Sequence, residues 1–141
     1  MEILHRSLTS LATELNAAKA QAVEQVNGLT DTVRRRFITP IAGQEMIYLN
    51  KEQEALRYLA EATPPEDLTD YPFLASEIGA TGATALEVAT IFKMRGQAWR
   101  DIGTMIERLR VRALTDIAAA ADLTTVAVAV GQFAQDMEEM V

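Results

Sequence analysis

The sequence has no cysteine, one histidine and one tryptophan, and aromatic residues fill only 6% of its 141 positions. Without cysteine there is neither a disulfide framework nor a thiolate metal site. A single histidine rules out any mechanism or metal centre that needs two. His5 follows Glu2 at the i, i+3 spacing of carboxylate di-metal bundles, but those centres use that pair twice, with further glutamates. His5 is therefore read as a surface residue. Serine occurs only at Ser7, Ser10 and Ser76, and none lies in the glycine-flanked turn that presents a nucleophile. The acids fall on polar helix faces and are read as solvated.

Two further shortages bear on setting. The most apolar stretch, residues 126–130, falls far short of the ~18 apolar residues of a membrane span. The N-terminus lacks the basic start and apolar run of a secretory signal, so synthesis in the cytoplasm is expected. Bases are scarce as well: 13 Lys and Arg face 20 Asp and Glu, a net charge of −7. That balance argues against a general nucleic-acid binder, whose affinity comes from neutralising phosphates. Neither an enzyme, a cofactor nor a bound metal is expected.

What the sequence does contain is helical periodicity. Leu4, Leu8, Leu11, Leu15, Ala18 and Ala22 follow a 4-3-4-3-4 spacing, which is a heptad seam. Val26, Leu29 and Val33 resume it after an extra four-residue step, a stutter. The segment is predicted as one helix from Ile3 to about Phe37, with Gly28 as a possible break, and Thr39-Pro40 ends it. A seam this narrow suits a partner helix better than a broad core. Self-association through Leu4, Leu8, Leu11, Leu15, Val26, Leu29 and Val33 is expected.

A second helix is predicted from about Gly43 to Ala62, with Met46, Leu49, Leu56, Leu59 and Ala60 on its apolar face. Asn50 and Gln53 have capping-box spacing, which would start its strong part at Asn50. Thr63-Pro64-Pro65 stops it, and Phe73, Leu74 and Ile78 suggest a short core-plugging turn. Gly79-Ala80-Thr81-Gly82 has the outline of a phosphate loop but lacks the Gly-Lys-Ser/Thr that follows in a P-loop. It is read as a turn leading to Thr84, which with Glu87 forms a capping box. A long third helix then runs to about Ala121, and Val126, Val130, Phe133 and Met137 mark a last one. Residues 125–130 also alternate like a strand, but the helical spacing covers more residues.

The fold class is thus all-α: a coiled-coil-like N-terminal helix, residues 1–39, followed by a compact helical bundle or hairpin, residues 40–141. Residues 45–70 carry seven acids and two bases, and residues 93–112 carry six bases and two acids. The second and third helices are therefore expected to face each other. Arg34, Arg35 and Arg36 suit a helix C-terminus, where the macrodipole favours cations, and are also candidates for partner docking. Trp99 is read as core packing or as an interface anchor.

A spaced pattern runs through the chain. It comprises Arg35-Arg36-Phe37-Ile38-Thr39, Gly43-Gln44-Glu45, Tyr48, Lys51, Glu54-Ala55, Tyr58, Tyr71-Pro72-Phe73-Leu74, Glu77, Gly82 and Thr84. Trp99, Ile106-Glu107, Arg110, Ala113, Ile117 and Ala120 complete it. Over roughly residues 19–122 this resembles small helical proteins encoded among the tail genes of bacteriophages and prophages. The resemblance implies a non-enzymatic virion component of the tail fibre or baseplate, made in the host cytoplasm. It implies a homo-oligomer, a trimer by analogy with three-fold fibres, that docks to other tail proteins. It also leaves room for a fibre-assembly chaperone missing from finished particles.

Overall fold

The computed structural model describes residues 7–140. The described chain is all-α: α1 (Leu8–Arg34), α2 (Gln44–Ala60), α3 (Pro72–Glu77), α4 (Ala85–Ala119) and α5 (Leu123–Glu139). No helix among the described residues is long and apolar enough to cross a membrane. Two compact units divide these elements, one of residues 1–36 with 104–141 and the other of residues 37–103. The expected division at residue 39 differs, because α1 shares its core with the end of the chain.

The first unit packs α1, the second half of α4 and α5. Ser7 caps α1 by accepting the Ser10 N–H at 3.1 Å, and the helix runs unbroken through Gly28 to Arg34. Ala22, Val26, Thr30 and Val33 of α1 are buried together with Val126, Ala129, Phe133 and Met137 of α5. Ile106, Ala113, Ile117 and Ala120 complete this core. Asp122 caps α5, accepting the Thr125 N–H at 2.7 Å and confirming the helix chosen over a strand. Direction follows from three side-chain bonds. Lys19 Nζ donates to the Ala118 carbonyl, Arg110 donates to Asn27, and Arg34 donates to Glu107. As the α1 number rises the α4 number falls, so the two run antiparallel. The short link at Asp122 turns α5 back alongside α1.

The second unit packs α2, α3 and the first half of α4. Its core is Ala55, Tyr58, Tyr71, Leu74, Val88, Ala89 and Phe92. Tyr58 and Tyr71 meet edge to face, with centroids 5.4 Å apart, a favoured aromatic geometry. Gly43 starts α2 with φ of 81°, and its carbonyl accepts the Ile47 N–H. Asn50 therefore lies inside α2 and caps nothing. Pro72 opens α3, where its missing N–H costs no helical bond. Thr84 accepts the Glu87 N–H at 3.2 Å, while Glu87 accepts from Ala83 at 2.7 Å. The expected capping box thus forms with its return bond one residue earlier.

The expected facing of the second and third helices holds in this unit, but with a narrower charge match. Glu52 of α2 is ion-paired with Arg100 of α4. Arg108 and Arg112 belong to the other unit and are exposed. Arg110 pairs with Glu107 of its own helix.

Candidate docking surfaces

The sequence placed Met46, Leu49, Leu56, Leu59 and Ala60 on the buried face of α2; the structure leaves Met46, Leu49 and Leu56 exposed, while Leu59 packs partly buried against the core. The exposures of the first three are 70%, 55% and 39%, whereas Glu52 and Glu54 of the same helix are 8% and 3% exposed. Each buried carboxylate has partners that make its burial tolerable. Glu54 accepts the backbone N–H groups of Phe73 at 3.1 Å and Leu74 at 3.2 Å, capping the start of α3. Glu52 is paired with Arg100 and lies directly over Gly96, where any Cβ would collide with its carboxylate. The capping role of Glu54 and the Glu52–Gly96 approach were missed. The only sequence signal for the latter is a glycine inside an otherwise strong helix.

With its outer face uncovered, α2 forms one wall of a groove of about 780 Å³. Leu49 and Leu56 line that wall, and Trp99 and Ile102 of α4 line the other. Phe37 and Tyr48 close one end, where Tyr48 Oη donates to Thr39 Oγ1 at 3.0 Å. Trp99 is half-buried in this wall and is not part of the Ala55–Phe92 core cluster. Three of the charged groups of the groove are ion-paired, Lys51 with Glu77 and Glu52 with Arg100. Lys51 lies 2.6 Å from Glu77 and 5.2 Å from the centre of the Phe92 ring. Burial raises the Glu77 carboxyl, but its bonds to Lys51 and Thr81 outweigh that and hold it below the usual glutamate value. The result is a mainly apolar trough in which Lys51, Glu52 and Arg100 are paired while Glu45 and Arg95 of the lining are exposed.

The second surface is the start of α1. Leu8 is 85% exposed, Leu11 is 44% exposed, and Leu15 and Ala18 are half-buried. The heptad stripe therefore divides. Its later part, Val26 and Val33, is buried within the chain with Leu29 half-buried beside it. Those positions cannot serve an intermolecular seam as expected, because α5 and α4 already cover them. Its early part runs past the Lys19–Ala118 bond that marks the end of the three-helix packing. Leu4 and His5 lie outside the described residues.

The arginine triplet is not one feature. Arg34 donates to Glu107 at 2.8 Å, and Arg35 donates to Asp31 at 2.8 Å. Arg36 is exposed beyond the helix end. Hydrogen bonds from Arg110, with added charge from Arg34, draw the Glu107 carboxyl down to about 2. Two of the three arginines thus have partners within the chain, as the helix-end reading allows.

Among the described residues no group of three or more His, Asp or Glu side chains is placed to hold a metal ion. No family model matches the chain, and no curated protein or solved structure shows significant similarity to it.

Proposed function

We propose that this chain is a non-enzymatic structural protein of a bacteriophage tail, associated with the fibre or baseplate. It self-associates as a homotrimer through the first turns of α1 and docks to other tail proteins. One observation carries the reading: Leu8 and Leu11 are exposed at the near end of an apolar helix stripe whose later part, at Val26 and Val33, is buried. A leucine exposed by 85% at the head of such a stripe is stabilised by burial against another protein surface. The residue pattern from Arg35 to Ala120 supports the tail setting. Multi-angle light scattering tests the association, with a trimer expected at micromolar concentration and a monomer counting against it. Peptide mapping of purified particles tests the setting. The chain should be present at a fixed copy number, and its absence would favour a transient chaperone.

A further inference from the structure

We draw no further inference here: the strongest candidate, the groove between α2 and α4 walled by Leu49, Leu56, Trp99 and Ile102, is an apolar surface of the second unit, and nothing in the structure shows what covers it.

Discussion

Glu54 shows how much one side chain can fix in this fold. It is buried on α2, and its two oxygens receive the first free N–H groups of α3. Glu54→Ala should lower stability by about 2–3 kcal/mol, the range for buried hydrogen bonds to charged groups. Urea denaturation followed by circular dichroism measures it, and an unchanged midpoint would show that the cap is dispensable. Two of the four glycines within helices, Gly96 and Gly28, offer a matched pair. Gly96→Ala should cost roughly 1–3 kcal/mol, because the added methyl meets the Glu52 carboxylate. Gly28→Ala should gain up to about 1 kcal/mol, since nothing lies within 4 Å of the new methyl and the backbone is helical.

Glu107 is the residue whose titration the structure perturbs most clearly. Hydrogen bonds from Arg110 hold its carboxyl at about 2 in the folded chain, below the ordinary 4.5. A group with a lowered folded value stabilises above its unfolded value and loses that contribution as pH falls through the folded one. The advantage of wild type over Glu107→Gln should therefore be full above about pH 5 and fade between about pH 4.5 and pH 2. The side chain is 43% exposed, so the difference should stay within about 1 kcal/mol. Paired denaturation curves at pH 7 and pH 2.5 check it, and a difference that grows in acid would contradict it.

The elements divide by how much of their pattern is local. The start of α4 was legible because Thr84 acts on an N–H three residues away, whereas the equally local caps of α1 at Ser7 and of α5 at Asp122 were not read from the sequence. The last helix was legible because Val126, Phe133 and Met137 repeat with one period and all face the same core. The orientation of α2 was not legible, because hydrophobic spacing assumes that charge faces water. Here Glu52 and Glu54 face inward, and their partners lie far along the chain at Arg100, Phe73 and Leu74. The heptad seam of α1 was read as a single device. Its division at about Ala18 depends on where α4 turns into α5, a long-range fact that the spacing of α1 does not contain. Substituting Leu8 and Leu11 by serine should leave the helix content of the dilute chain unchanged, because neither is buried there. Circular dichroism measures this, and a loss of helix would mean that these leucines hold α1 in place.

On the scale of the whole molecule, each unit has its own buried core, and each leaves apolar side chains exposed. The first exposes the head of a helix stripe and the second a trough lined by Leu49, Leu56, Trp99 and Ile102. The charge is uneven along the chain: residues 45–70 carry seven acids and two bases, residues 93–112 carry six bases and two acids, and the two stretches meet at Glu52 and Arg100. The net charge of −7 favours solubility. The groove itself was not foreseen, although Trp99 was named as a candidate anchor. A groove is made by two helices failing to cover each other, and only their packed arrangement shows that. The central claim is that the chain self-associates through the head of α1. The most direct test compares the solution mass of the intact chain with that of Leu11→Lys by light scattering at micromolar concentration. The account predicts a trimer for the intact chain and a folded monomer for the variant; a monomer for the intact chain, or a trimer for both, would contradict it.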